Sequence, residues 1–153
     1  MKLIESLHPR SIIPSLRATT KREVLAELAE AAVQGCDKLN KDQVVAVLLE
    51  REKLGTTGIG DHIAIPHGKL RDLDHLVLGF GRSLQGVQFE SMDGKPAHIF
   101  FLLLAPENSI GLHLKALAKI SRMLKDAGFR RQLMEAPDAE ALAALIAAAD
   151  VEP

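Results

Sequence analysis

One apolar segment limits the fold of this chain more than any other feature. Residues 98–105 read His-Ile-Phe-Phe-Leu-Leu-Leu-Ala, an apolar run without the polar alternation of a half-exposed strand. Such a run is typical of a strand that is buried on both faces, in the interior of a sheet covered by helices. We therefore expect a sheet with helices packed against it.

Two capping boxes predict where the first two helices begin. Each box pairs an N-cap side chain with a Glu or Gln three positions later, and these N-caps are Thr20 and Asn40. Apolar residues at helical spacing follow both boxes. We predict a first helix that ends at Gly35 and a second that runs to Arg51.

The remaining elements follow from apolar patterns bounded by Gly and Pro. Because helices and strands interleave without a linker or a repeat, we predict one compact α/β domain over residues 1–153. The other predicted elements are a helical turn and then a strand around Ile12 within residues 1–18, strands at Ile63–Ile65 and Leu76–Arg82, an edge element or hairpin within residues 86–96, and helices at Ser109–Lys125, Phe129–Glu135 and Asp138–Ala149.

The composition excludes several classes of function. The 153 residues carry a net charge of −1 and contain no Trp or Tyr, whereas nucleic-acid binders show basic faces and stacking aromatics. Cys36 is the single cysteine, so a disulfide framework and a Cys-rich zinc site are excluded, and a reducing compartment is indicated. There is no signal-peptide pattern and no apolar run near the ~20 residues of a membrane span. We expect a cytoplasmic protein that does not insert into membranes.

Among the histidines, His67 has the setting best suited to chemistry. It follows the predicted strand at Ile63–Ile65 and Pro66, and the glycine-rich segment Gly-Thr-Thr-Gly-Ile-Gly at residues 55–60 precedes that strand. We expect the strand to end before His67 and to leave its imidazole at the rim of the sheet with little steric cover. A neutral imidazole is a nucleophile near pH 7. A histidine that only packs over the strand end is the alternative.

Two further residues are candidates for binding an anion. His113 lies on the apolar face of the predicted third helix, near its start, where backbone N–H groups favour an anion. A hydrogen-bonded core histidine is the simpler alternative. Arg51 ends the second helix, where its planar guanidinium can bind phosphate oxygens or only complement the helix dipole. The residues alone leave these alternatives open.

The other candidate motifs fail on spacing. The pair His62 and His67 is interrupted by a proline and lacks further ligands, and the sequence contains no Walker loop, no His-Glu-x-x-His and no Gly-x-Ser-x-Gly. We predict no metal site and no cofactor. The remaining histidines are interpreted as surface or structural residues, namely His8, His62, His75 and His98.

A longer motif resembles a known family. Residues 48–69 read Leu-Leu-Glu-Arg-Glu-Lys-Leu-Gly-Thr-Thr-Gly-Ile-Gly-Asp-His-Ile-Ala-Ile-Pro-His-Gly-Lys and resemble the active-site signature of enzyme IIA phosphotransferase domains of the fructose–mannitol type. Similar segments at residues 19–25, 102–107 and 113–117 occur in the family's order, so the resemblance covers nearly the whole chain. Since no carrier or membrane segment is fused to the domain, it most resembles the nitrogen-regulatory enzyme IIA. The Asp-His pair at residues 61–62 departs from the family pattern and places a negative charge and a third imidazole near the expected site.

The resemblance implies a mixed β-sheet flanked by helices, the phosphotransferase/anion-transport-protein-like fold. It also implies that an HPr-like phosphocarrier phosphorylates His67, with Arg51 and His113 supporting the phosphoryl group. The residues expected to bind the phosphoryl group are Thr57, Gly58, Gly60 and Gly68.

The resemblance leaves the purpose of the phosphoryl group open. In a regulatory, nitrogen-branch role the phosphorylated protein acts on a transporter or a sensor kinase. In a sugar-specific role it passes the phosphoryl group to the IIB domain of a fructose or mannitol permease. In a third reading it is a binding module, switched by the added charge of about −1.5 to −2, that transfers nothing onward.

Overall fold

The computed structural model describes residues 1–151, so the last two residues of the predicted domain, 152–153, lie outside the described residues. A 3₁₀ turn occupies Leu3–Ser6. The strands of this part of the chain are β1 (Leu7–Ile13), β2 (Gly58–Gly60), β3 (Ile63–Ala64), β4 (His67–Leu70), β5 (Val77–Val87) and β6 (Ala97–Pro106). Its α-helices are α1 (Lys21–Gly35), α2 (Lys41–Lys53), α3 (Ile110–Leu124), α4 (Ala127–Glu135) and α5 (Ala139–Ala149).

The predicted caps begin the first two helices. The side-chain oxygen of Thr20 accepts a hydrogen bond from the backbone N–H of Glu23 at 3.2 Å. That of Asn40 accepts one from Gln43 at 3.0 Å. Each bond satisfies an N–H group that has no partner inside its helix. Both helix starts are therefore confirmed.

The strands form a mixed sheet with the order β1-β5-β6-β3-β2. On one side β6 pairs with β5 in antiparallel orientation, and on the other it pairs in parallel first with β3 and then with β4. The apolar segment at residues 98–105 thus lies in an interior strand, as predicted. The α/β class with a mixed sheet flanked by helices is confirmed as well.

Helices cover both faces of the sheet, and β6 contributes to both cores. Successive side chains of a strand point to opposite faces. Phe101 and Leu103 pack in the core beneath α3, α4 and α5, whereas Phe100 and Leu102 pack in the core beneath α1 and α2. Each of these four side chains is fully buried. Within residues 1–151 no helix combines the length and the apolar character needed to cross a membrane.

The chain differs from the prediction around Pro66. The strand predicted at Ile63–Ile65 ends at Ala64, and a new strand begins at His67 rather than after it. Pro66 has no N–H group to donate, but its carbonyl accepts a hydrogen bond from Leu103 at 3.0 Å, so the chain stays beside β6 across the break. His67 then pairs with Leu103. The backbone of His67 is therefore held in the sheet.

Two buried cationic side chains bind the C-terminal helices to the rest of the fold. The guanidinium of Arg82, on β5, donates to the carbonyl oxygens of Pro14, Leu133 and Ala136 at 2.8, 3.0 and 2.6 Å. Lys119, on α3, forms an ion pair of 2.6 Å with Asp150, at the end of α5. The sequence patterns did not predict either contact, because both join segments that are distant along the chain.

Candidate functional site

Three of the predicted site residues come together from three different elements. Arg51 lies in the last turn of α2, His67 is the first residue of β4, and His113 lies near the start of α3. The Nε of Arg51 is 3.2 Å from the Nε2 of His67. The imidazole rings of His67 and His113 meet edge to face, with their centroids 5.3 Å apart. The structure therefore forms a cluster of one guanidinium and two imidazoles.

The hydrogen bonds of His67 determine where its proton lies. Its Nδ1 is 2.8 Å from the carbonyl oxygen of Ile65, and a carbonyl can only accept, so Nδ1 carries the hydrogen. Its Nε2 accepts the N–H of Arg51 and therefore carries a lone pair. Both contacts describe the same tautomer. The nitrogen that faces Arg51 is the nucleophilic one.

Burial favours the neutral form of both imidazoles of the cluster. It is the largest influence on His67 and lowers its pKa, the Ile65 carbonyl opposes this effect, and the positive charge of Arg51 lowers the pKa further. Burial and then the neighbouring His67 lower the pKa of His113 from 6.5 to about 4. His67 is half-buried, so the expectation of a ring with little steric cover was wrong. The reason is the position of its backbone inside the sheet.

His113 contains a polar atom without a partner. Its side chain is buried, and its Nε2 makes no hydrogen bond to any of the described residues. An unsatisfied buried polar atom costs about 1–3 kcal/mol. A ligand that supplied the missing partner would remove this cost. The edge-to-face contact places His113 beside the reactive ring of His67.

The glycine-rich segment is ordered by a residue that the sequence analysis missed. Glu52 follows Arg51, and its carboxylate accepts both the backbone N–H of Thr57, at 3.0 Å, and the hydroxyl of Thr57. Gly58 donates its own N–H to the hydroxyl of Thr56 at 3.0 Å. The only sequence signal was the adjacency of Glu52 to a candidate arginine. Because both amides already have acceptors, phosphoryl binding by Thr57 and Gly58 stays a prediction that requires these bonds to exchange.

The two other glycines predicted to bind the phosphoryl group have identifiable backbone roles. A Cβ on Gly68 would lie 2.3 Å from the Cγ1 of Val47, so only glycine lets β4 pack this closely on α2. Gly60 has a φ of 98° and leads into a turn in which Asp61 and His62 also have positive φ. Phosphoryl binding by Gly60 and Gly68 stays a prediction too.

The remaining histidines lie in other surroundings. His62 and His98 contact each other edge to face at 5.3 Å, and each Nδ1 is 2.8 Å from a carbonyl oxygen. His8 and His75 are exposed. The described ring contact of His62 thus involves His98, whereas the Asp-His pair at residues 61–62 was expected to place a third imidazole near the site. Within residues 1–151 no group of three or more His, Cys, Asp or Glu side chains is arranged to hold a metal ion.

A family model, curated relatives and a solved structure all match this chain over most of its length. The family model described as "Phosphoenolpyruvate-dependent sugar phosphotransferase system, EIIA 2" matches residues 5–149. The "Nitrogen regulatory protein" of Bradyrhizobium diazoefficiens is 43% identical and covers 96% of this chain and 95% of its own length. The "PTS system fructose-specific EIIABC component" of Bacillus subtilis is 37% identical over 95% of this chain, which spans 23% of that protein. The crystal structure of the nitrogen regulatory protein IIA-Ntr from Neisseria meningitidis superposes with a TM-score of 0.88 at 32% identity, covering 94% of this chain and 98% of the other.

Proposed function

Because the chain belongs to the EIIA 2 family of the phosphoenolpyruvate-dependent sugar phosphotransferase system, whose members are phosphotransferases, we propose that it is a cytoplasmic phosphoryl carrier with His67 as the acceptor. The donor is an HPr-like phosphocarrier protein, and the main role of the phosphorylated form is regulatory. A single observation carries the assignment of the acceptor. The Nε2 lone pair of His67 is held beside the guanidinium of Arg51, where an incoming phosphoryl group needs both a nucleophile and a cation.

The proposed transfer balances its charges without moving a proton. The Nε2 lone pair of His67 forms a bond to phosphorus while the N–P bond of the donor phosphohistidine breaks. The donor ring, which carries a hydrogen on its other nitrogen, keeps the electron pair and leaves as a neutral imidazole. The ring of His67 becomes cationic, and its Nδ1–H remains bonded to the carbonyl of Ile65 at 2.8 Å. Both the attacking and the leaving atoms are imidazole nitrogens of similar energy. The transfer is therefore reversible.

Arg51 and His113 are proposed to bind the transferred group. The Nε–H of Arg51 loses its acceptor when the lone pair of His67 is used, and it then donates to a phosphoryl oxygen. A second guanidinium nitrogen of Arg51, Nη1, stays bonded to the carbonyl of Gly55 at 2.8 Å and keeps the side chain in place. His113 supplies a neutral N–H from its unpartnered Nε2. The same atom is then no longer unsatisfied.

Exposed apolar side chains around the cluster support a protein rather than a small molecule as the donor. Leu54 follows the helix of Arg51 and is 84% exposed. Ile110 and Leu114 flank His113 on α3 and are 57% and 61% exposed. Apolar residues exposed near a reactive group are typical of a surface that a partner covers transiently. An HPr-like phosphocarrier that docks here would bring its phosphohistidine to His67.

The regulatory branch is favoured by how the relatives match. The nitrogen regulatory relative is 43% identical to this chain over 147 residues, whereas the fructose-specific relative is 37% identical over 147 residues. In this role the phosphorylation state of His67 changes binding to a transporter or a sensor kinase, through the added charge of about −1.5 to −2. Rapid transfer from the phosphorylated protein to a fructose or mannitol IIB domain would favour the sugar-specific alternative. Stable phosphorylation with no acceptor would favour a binding module.

The acceptor assignment is tested by labelling. The protein is incubated with a phosphorylated HPr-like donor, and the modified residue is mapped by mass spectrometry at neutral or alkaline pH, because acid hydrolyses phosphohistidine. We expect one phosphoryl group on His67 and none in a His67→Ala variant, while His75→Ala, which removes an exposed histidine, is labelled like the parent. Labelling of His67→Ala at the rate of the parent would overturn the assignment.

A further inference from the structure

Glu52 occupies an unusual environment for a carboxylate next to a reactive site. Its side chain is only 6% exposed. It forms an ion pair of 2.9 Å with Lys21, the first residue of α1, and it accepts the amide and the hydroxyl of Thr57. A carboxylate this deeply buried is stable only when its oxygens are fully bonded. These contacts fix the position of Thr57 relative to α2.

Two hydrogen bonds, both made by Ile65, connect Thr57 to the imidazole of His67. The carbonyl of Thr57 accepts the N–H of Ile65 at 3.0 Å. The carbonyl of Ile65 then accepts the Nδ1–H of His67 at 2.8 Å. The acceptor that determines the tautomer of His67 is therefore itself held by the segment that Glu52 fixes.

We propose that Glu52 and Thr57 are positioning residues that hold His67 in the tautomer with the hydrogen on Nδ1, which leaves Nε2 free to accept the phosphoryl group. The inference rests on the proposed function of His67. Glu52 acts only through Thr57 and Ile65, and it forms no bond to the reacting nitrogen. Its neighbour Arg51 forms that contact directly.

The geometry explains why the other tautomer needs to be excluded. With the hydrogen on Nε2, the ring of His67 would place an N–H against the N–H of Arg51, and its Nδ1 lone pair would face the carbonyl oxygen of Ile65. Both contacts would be repulsive. The ring can escape this cost if the Ile65 carbonyl moves, if the guanidinium moves or if the ring itself rotates. The bonds of Glu52 and Thr57 prevent the first of these movements.

The charge of Glu52 and the hydrogen bond between His67 and Ile65 both raise the pKa of His67. The negative charge of Glu52 thus opposes the effect of burial, although the net pKa stays below the usual value. A loss of the charge should therefore lower the pKa of His67 further. This shift distinguishes an effect on the ring from a general loosening of the fold.

The test compares tautomers in the unphosphorylated protein with transfer rates. Nitrogen NMR of ¹⁵N-histidine-labelled protein separates Nδ1–H from Nε2–H imidazoles and gives the pKa of His67. We expect the parent to show only the Nδ1–H form. Glu52→Gln and Thr57→Val should show a mixture of the two forms and a transfer rate from the phosphorylated donor reduced at least tenfold. Glu52→Gln should also lower the pKa of His67.

Two control variants separate positioning from folding. Glu50→Gln removes the same charge from the same helix, but Glu50 is 73% exposed and pairs outward with Lys53, so we expect parental tautomers and rates. Thr57→Ser keeps the hydroxyl that Thr57→Val removes, so we expect it to show only the Nδ1–H form, as in the parent. If Glu52→Gln does not fold, the comparison of Thr57→Val with Thr57→Ser still decides.

Each result has a defined meaning. Parental tautomers in both Glu52→Gln and Thr57→Val would overturn the proposal, whatever happens to the transfer rate, because a slower rate alone would indicate a structural role. The tautomer is measured without a donor protein. If wild-type His67 fails to accept a phosphoryl group while its tautomer still depends on Glu52, the proposed function fails and the positioning link stands.

Discussion

Replacement of His113 by leucine should make the stability of the protein less sensitive to pH. His113 binds a proton with a pKa of about 4 in the folded protein and 6.5 in the unfolded chain. Between these values the unfolded state binds more protons, so the free energy of unfolding falls as the pH falls. Leucine does not titrate, and it fills the same buried position on the apolar face of α3.

The expected magnitude follows from the two pKa values. Between pH 7 and pH 5 the unfolded chain gains most of a proton at His113 and the folded protein gains little, which removes about 2 kcal/mol of stability. With a urea dependence of about 2 kcal/mol per molar, this corresponds to a shift of about 1 M in the unfolding midpoint. The pKa of His67 is also lowered, so this residue likewise reduces the stability as the pH falls. Its effect is common to the parent and His113→Leu and does not contribute to the difference between them.

The assay is urea unfolding at a series of pH values from 7 to 5. We expect the midpoint of the parent to fall by about 1 M more than that of His113→Leu over this range. A His8→Gln variant removes an exposed histidine and should behave like the parent. At pH 7 His113→Leu should be no less stable than the parent, because it removes the unpartnered Nε2. Parallel pH dependences in the parent and His113→Leu would refute the reasoning.

Three further substitutions test contacts described above. Arg51→Lys keeps the charge but loses the planar guanidinium beside His67, so donor-dependent phosphorylation should slow about 10- to 100-fold in a rapid-quench assay, and an unchanged rate would contradict the proposed role. Gly68→Ala places a Cβ 2.3 Å from a carbon on α2 and should lower stability by about 1–3 kcal/mol in chemical unfolding; parental stability would show that the strand moves freely. Lys119→Met removes the cation that pairs with the buried carboxylate of Asp150 and should cost about 3 kcal/mol in the same assay, whereas a neutral effect would mean that the ion pair contributes nothing.

The sequence predicted the elements whose signals are local. The capping boxes at Thr20 and Asn40 give the starts of α1 and α2 because the cap and its N–H donor are three residues apart. The third helix was predicted from Ser109, and α3 begins at Ile110 with Ser109 as its N-cap. The apolar run of β6 predicted burial on both faces, since no polar residue follows His98 within residues 99–105.

Features that depend on distant parts of the chain were not predictable in this way. The strand that begins at His67 exists because β6, more than 30 residues later, offers a free edge beside Pro66. The partners of Glu52 include Lys21, which belongs to another helix. For the site, the residues alone left both readings of Arg51 and His113 open. The family resemblance predicted that both residues lie beside His67. The packing of α2, β4 and α3 explains how the three side chains meet.

The burial of Arg82 has a consequence for how the protein opens. Its guanidinium donates to a carbonyl group in the last turn of α4 and to another between α4 and α5. Carbonyl groups at the end of a helix receive no hydrogen bond from an N–H group of that helix. If α4 and α5 separated from the sheet while the rest of the protein stayed folded, the guanidinium of Arg82 and the carbonyl groups it binds would lose their partners together. The last two helices should therefore exchange their amide hydrogens with nearly the same protection as the central strands, as parts of one cooperative unit.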